Sequence, residues 1–194
     1  MYARKDLIEE GMTQYRIEKE VAEGRLLRLR RNCYVPAEAS AKDKLAAVAQ
    51  LYPDAVFTGT AALAAYGLCE VRLPATIRVD NNCRARADGL VRTVRSRPVP
   101  VNRVKGVKMA LPAQAVADAL SFERCGEWLL KEALAQAYRG LNGRGRFAAD
   151  LEMVTSKEKD AVRELARLAP VGTASKWEQR MFREMRRGGL KPVP

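Results

Sequence analysis

The sequence predicts an α+β fold: an N-terminal winged helix-turn-helix, then a mixed α/β domain with a small basic antiparallel sheet, then C-terminal helices. Three observations carry this expectation. Residues 12–35 switch from a helical to an alternating hydrophobic period across a single glycine, Gly24. Residues 75–107 hold short β-branched runs separated by turn residues, and the chain beyond Leu111 is helical in period. The expected division is 1–38 for the winged unit, 39–170 for the α+β body with its basic sheet at about 71–108, and 171–194 for a C-terminal helix.

Residues 3–10 read as a short helix that runs into a turn at Gly11 and Met12. Thr13 then suits a helix cap, Ile17 and Val21 recur four apart as a buried stripe, and Gly24 stands where a C-terminal cap belongs. That leaves Gln14, Tyr15, Glu18 and Lys19 facing outward. After Gly24 the pattern alternates: Leu27 and Leu29 point one way, Arg28 and Arg30 the other, as in a half-buried strand. Arg31 and Asn32 form the tip, and the return strand closes on Tyr34 and Val35.

Ser40 and Asp43 have the spacing of a capping box, opening a helix with Leu45, Val48, Ala49 and Tyr52 on its apolar stripe; Pro53 ends it. Residues 55–58 read as a brief buried strand, after which Thr60 caps an alanine-rich helix to Gly67. Strand patterns follow at Thr76, Ile77 and Val79, at Leu90, Val91 and Val94, and at Val99 and Val101. Asn81-Asn82, Asp88-Gly89 and Pro98 punctuate them. Helices are expected at 113–122, 126–139, 147–154, 157–168 and 175–187. Trp177, Met181 and Met185 recur four apart as a packing stripe on the last.

Charge distribution narrows the partner. The chain has 35 basic and 23 acidic residues, net +12. Residues 70–108 hold 10 basic and 3 acidic residues, net +7, against net +1 for residues 1–40. A field that uneven accumulates polyanion on one surface, which points to nucleic acid. Arg78, Arg84, Arg86, Arg92, Arg95, Arg97 and Arg103 interleave with the apolar strand positions, so one sheet face is expected to be core and the other cationic, a secondary DNA-binding surface. In the first unit, Arg25, Arg28, Arg30 and Arg31 place four guanidinium groups on a thin projecting hairpin, a geometry suited to phosphates or a minor groove. The competing reading of each charge run is a solvated face.

Other classes have little support. There is no run of about 18 apolar residues and no apolar leader, so a cytoplasmic protein is expected. Histidine is absent, and Cys33, Cys69, Cys83 and Cys125 are scattered without a C-x-x-C pair. The cysteines are therefore expected to be reduced and no metal or other cofactor is expected. No P-loop, G-x-S-x-G or paired-carboxylate motif is present, so no enzymatic activity is expected.

Four segments taken in order, EEGMTQYRIEKEVAEGRLLRLRRNCYV, DAVFTGTAALAAYGL, LPAQAVADAL and TASKWEQRMFREMRRGGLKPVP, resemble the abortive-infection AbiE-type type IV antitoxins, transcriptional regulators with an N-terminal winged helix. The resemblance implies a DNA-binding antitoxin or repressor acting on repeats in its own promoter, with a nucleotidyltransferase-like toxin as a further partner. It places residues 13–19 in the major groove and residues 28–32 in the wing. The chain departs from the family by beginning about two turns before the reading helix, so the usual first helix is missing or supplied from elsewhere in the fold. At the other end, SKWEQRMFREMRRGGLKPVP resembles the helix that opens a very-short-patch-repair-like endonuclease domain, with Glu178 matching its first acidic residue. Without further carboxylates to hold Mg²⁺, Glu178 reads as an ordinary helix residue.

The expected function is thus a sequence-specific double-stranded DNA-binding repressor of antitoxin or phage-immunity type, a monomer or weak dimer on operator or promoter repeats. Thr13 caps the reading helix, Gln14 and Tyr15, with Glu18, meet base edges, and Arg16 and Lys19 meet phosphates. Arg25, Arg28, Arg30, Arg31 and Asn32 grip the backbone or minor groove. The alternatives are a protein-binding antitoxin or adaptor that neutralises a toxin, and an inactive nuclease-related fragment.

Overall fold

A computed structural model describes residues 1–80, 90–95, 97–155, 157–173 and 175–190 of the 194. The first unit comprises strand β1 (Tyr2–Ala3), helices α1 (Arg4–Glu9) and α2 (Gln14–Ala22), and strands β2 (Leu26–Arg30) and β3 (Cys33–Pro36). Thr13 caps α2, its hydroxyl accepting from the Arg16 amide at 3.2 Å, an interaction worth about 1 kcal/mol. At the other end the Gly24 amide donates to the Val21 carbonyl and the Arg25 amide to the Glu20 carbonyl. That double closure needs a left-handed residue, and Gly24 has φ +72°. The chain leaves α2 already turned into β2.

The three strands form an antiparallel sheet in the order β1-β3-β2. Arg28 stands opposite Tyr34 but Arg30 opposite Cys33, so Leu29 is an extra residue in β2. The expected half-buried sheet is buried on both faces. Leu26 and Tyr34 join Leu7 and Ile17 in one cluster, while Leu29 and Val35 join Ala47 of helix α3 (Ala41–Leu51) in another, with Leu27 partly buried beside them. Leu26 was overlooked by the alternation because it directly follows Gly24 and Arg25.

α3 begins at Ser40, whose hydroxyl accepts from the Asp43 amide at 3.1 Å. Beyond it lie β4 (Val56–Phe57), α4 (Gly59–Ala65), β5 (Ala75–Val79), β6 (Val91–Arg95), β7 (Val101–Val104) and β8 (Val107–Ala110). These strands form a second sheet in the order β6-β5-β4-β8-β7. It is mixed rather than antiparallel: β5 pairs parallel to β6 and β4 parallel to β8, while β4 with β5 and β7 with β8 are antiparallel. β7 falls where the pattern at Val99 and Val101 places a strand, whereas its return strand β8 was not expected. The two-residue turn between them, Lys105-Gly106, has φ +49° and +83°, the positive pair of a tight hairpin in which asparagine usually leads.

The expectation of one cationic sheet face fails at the centre. All five residues of β5 are buried, Arg78 included. The reason is Asp118 on α5 (Pro112–Phe122), which is wholly buried. Arg78 donates to it through Nε and Nη2, both at 2.6 Å, and Gln114 donates from Nε2 at 2.9 Å. The Thr58 hydroxyl completes the set, and Gln114 in turn accepts from the Thr155 amide at 2.9 Å. A buried carboxylate is tolerated only when its oxygens are filled in this way. The network ties the start of α4, the middle of β5, α5 and the chain near Thr155 into one unit.

Among the described residues four more helices follow: α6 (Glu127–Ala137), α7 (Gly143–Glu152), α8 (Lys159–Leu168) and α9 (Lys176–Arg187). α6, α7 and α8 wrap α5, and the Tyr138 hydroxyl accepts from the Ala113 amide at 3.0 Å while bonding Asp150 at 2.7 Å. On α9 the expected packing stripe holds only at Met185, which is half-buried. Trp177 and Met181 are 78% and 54% exposed, whereas Phe182 is buried. Arg183 pairs with Glu132 of α6 and Arg186 reaches the Arg167 carbonyl, so α9 docks through Phe182 and its arginine contacts. Among the described residues no helix is long and apolar enough to cross a membrane.

The Asp118 network yields a test. Asp118→Ala removes the carboxylate that accepts two hydrogen bonds from the buried Arg78, and an expected loss of about 3–5 kcal/mol follows in denaturant unfolding. The paired replacement Arg78→Met with Asp118→Leu should cost clearly less than the sum of its single changes; strict additivity would show that the two side chains do not depend on each other.

Candidate nucleic-acid interface

α2 presents a polar face because its apolar anchors, buried Ile17 and half-buried Val21, pack on one cluster. Ile17 is fully buried, and around it Thr13, Gln14, Tyr15, Arg16 and Lys19 are all exposed. Tyr15 is 76% exposed, an unusual position for an aromatic ring in a chain with an available core. α1 approaches α2 through a turn closed by the Gly11 and Met12 amides, which donate to the Ile8 and Leu7 carbonyls. The two helices and their turn therefore form one unit resting on Leu7, Ile17, Leu26 and Tyr34.

The hairpin offers the second half of the site. Arg28, Arg30, Arg31 and Asn32 are exposed, and Asn32 turns the tip with φ +64°, which asparagine tolerates better than most side chains. Among the described residues no ion pair engages Arg28, Arg30 or Arg31. The apolar residues of β2 are buried or half-buried, and the arginines that alternate with them stay exposed.

Arg25 belongs elsewhere. Its Nε and Nη2 donate to the Glu20 carboxylate at 2.6 and 2.9 Å, and Nη2 also reaches Glu23. This clasp raises the Arg25 pKa above its ordinary value, and the hydrogen bond from Arg25 holds the Glu20 carboxyl below its own. Arg25 thus closes the end of α2 rather than extending the wing. Sequence spacing placed it among four hairpin cations because it cannot show which carboxylate a side chain turns toward.

One residue escaped the sequence reading. The Arg4 amide donates to the Asn32 carbonyl at the hairpin tip, and its Nε donates to Gln14 Oε1 at 2.7 Å. Arg4 therefore sits between the outer face of α2 and the tip, joining the two halves. Nothing in the local pattern signals a residue that acts across ten positions of chain. Gln14 also donates to Glu18, so its amide is oriented on the helix surface in the free chain. Lys19 lies 3.9 Å from Glu23, a loose contact that an exposed lysine exchanges readily.

The proposed second cationic surface is only partly assembled. Arg78 is removed from it by Asp118. Arg92 is half-buried and donates to the Phe122 carbonyl at the end of α5, where it works as a helix cap. Arg95 and Arg97 are exposed, each with an interaction inside the fold, and Arg84 and Arg86 lie outside the described residues. Leu90, just before β6, packs against the cluster of Leu29 and Val35, so the edge strand β6 starts beside the hairpin.

α4 shows a further long-range device in the TGT segment. Glu123, at the end of α5, accepts from the Thr60 amide at 3.1 Å and from the Thr76 hydroxyl at 2.7 Å. The cap of α4 is thus a carboxylate from far along the chain, not the Thr60 side chain. Gly59 has φ +59°, and a Cβ there would stand 2.0 Å from the Glu123 carboxylate. Only glycine fits.

For other chemistry the described residues offer little. Cys33, Cys69 and Cys125 are free thiols, and burial pushes the Cys69 and Cys125 thiols up. Glu178 lies in the first turn of α9, its amide donating to the Ser175 hydroxyl at 3.1 Å. Among the described residues there is no group of three or more side chains suited to a metal ion. No protein-family model and no curated protein sequence matches the chain.

The different placements of Arg25 and the tip arginines predict different costs. Arg25→Ala should lower the melting temperature by loosening the end of α2, while Arg30→Ala and Arg31→Ala should each change stability by less than about 0.5 kcal/mol. Equal losses at all three positions would mean that the tip arginines support the fold.

Proposed function

We propose that the chain is a double-stranded DNA-binding transcriptional repressor whose first unit is a winged helix-turn-helix, with α2 as the reading helix and the β2–β3 hairpin as the basic wing. The observation that carries this reading is the pairing of an exposed polar helix face with Arg28, Arg30 and Arg31, which no carboxylate neutralises among the described residues. The element order strand, helix, helix, hairpin, closed as β1-β3-β2, supports it. So does the Arg4 bridge that fixes the helix and the tip relative to one another.

On this reading α2 enters the major groove. Gln14 is chemically suited to adenine through its paired donor and acceptor, Glu18 to a cytosine amino group, and Tyr15 to a thymine methyl or a sugar. Arg16 and Lys19 flank them toward the phosphates, and the wing arginines take the adjacent backbone or minor groove. Gln14 exchanges its bonds to Arg4 and Glu18 for a base edge, which frees Arg4 to meet a phosphate. The resemblance to AbiE-type antitoxins directs the choice of target to repeats in the chain's own promoter and adds a cognate toxin as a partner. The exposed Arg95 and Arg97, at the edge strand that begins beside the hairpin, are a secondary contact.

With about five phosphates neutralised, log K should fall with log salt at a slope of about −4.5. Gel shift on duplex from the chain's own upstream region should show binding that Gln14→Ala with Arg30→Ala weakens by about tenfold or more. Binding that ignores salt, or that survives the double change intact, would contradict the proposal.

A protein-binding antitoxin or adaptor is the second reading, favoured by Trp128 and Trp177, exposed to 75% and 78% on α6 and α9. The two readings separate on the same variants, since a partner held at these tryptophans does not depend on Gln14 or Arg30.

A further inference from the structure

A cleft of about 860 Å³ opens between α3, the end of α4 and the β7–β8 hairpin. Its size falls within the range of small-molecule sites. Leu45 and Ala49 of α3 form one wall, Val104 and Val107 the other, with Phe57 and Met109 beneath. The mouth is different. Lys42, in the first turn of α3, and Lys105, at the hairpin turn, both line it and both are exposed, against a single carboxylate at Glu70. Among the described residues neither lysine forms an ion pair. Lys105 occupies its position with a left-handed backbone, where a small polar residue is the usual choice.

We infer that this cleft is a binding site for a small amphipathic carboxylate, its apolar chain lying between α3 and the hairpin and its anionic head between Lys42 and Lys105. A mostly apolar lining with two exposed lysines against one carboxylate matches a ligand that is apolar along its length and anionic at one end. A neutral chain would leave the lysines without a partner, and a cationic one would meet them directly. The cleft and the DNA-facing unit share α3, whose Ala47 packs against Leu29 and Val35. The site nevertheless stands apart from the duplex-binding reading, because its occupancy is measured directly.

Titration calorimetry of the full chain with decanoate, below its micelle concentration, and with decan-1-ol reads both parts of the site. Decanoate should bind about fivefold more tightly than the alcohol or better. Lys42→Glu with Lys105→Glu should remove that preference while leaving the alcohol's affinity unchanged. Ala46→Trp, at an exposed position that also lines the cleft, should block both ligands without altering the circular dichroism of the chain. No binding, equal binding of acid and alcohol, or undiminished binding to the tryptophan variant would overturn the inference. A concentration-dependent dimer abolished by Ala46→Trp would assign the cleft to a second copy and overturn it as well.

Discussion

Burial of the N-terminal three-stranded sheet on both faces is the constraint on which the rest of the candidate interface depends. Leu26 and Tyr34 pack toward α1 and α2, Leu29 and Val35 toward α3. Each such side chain contributes about 1.5–3 kcal/mol when fully removed from water, far more than any exposed ion pair at the surface. Between these anchors Arg28 and Arg30, and at the turn Arg31 and Asn32, are the hairpin positions that stay exposed. The extra residue at Leu29 belongs to the same arrangement, since it carries the strand past Arg28 and still returns an apolar side chain to α3.

The body behind this unit is organised by polar contacts of long sequence range. Asp118 gathers Arg78, Gln114 and Thr58, and Glu123 one turn further along α5 caps α4 and holds Thr76. Both carboxylates lie on the same helix, and together they fix β4, α4 and β5 around α5. The arrangement gives the body a single register, because a slip in β5 by one residue would turn Arg78 away from Asp118. It also removes cations from the surface. Of the cations in the middle of the sequence, Arg78 is buried and Arg92 half-buried, whereas Arg72, Arg95, Arg97, Arg103 and Lys105 stay exposed.

How legible this was depended on the distance over which each signal acts. The cap at Thr13, the stop at Gly24 and the box at Ser40 and Asp43 are local, and each element they bound was anticipated. The C-terminal helices followed from period alone. Strand direction did not, because side-chain alternation is the same in parallel and antiparallel pairs. Arg78, Arg25 and Arg92 were read as surface cations because composition records charge and not partner; Asp118, Glu20 and the Phe122 carbonyl decide their roles. The stripe on α9 erred for a related reason: Trp177 and Met181 are apolar, but the docked surface is chosen by Phe182 and by Arg183 against Glu132. In the candidate interface, Thr13, Gln14, Tyr15, Arg16, Lys19, Arg28, Arg30, Arg31 and Asn32 are exposed together as anticipated, while Arg4 emerged only from the fold.

The central claim is that the outer face of α2 and the tip of the β2–β3 hairpin act as one surface toward duplex DNA. Backbone amide chemical-shift mapping during addition of a duplex from the chain's own upstream region tests it most directly. The account predicts the largest shifts at Arg4, at residues 13–19 and at residues 28–32, with α6 and α9 unmoved. Shifts confined to α6 and α9, or no shifts in dilute buffer, would contradict it.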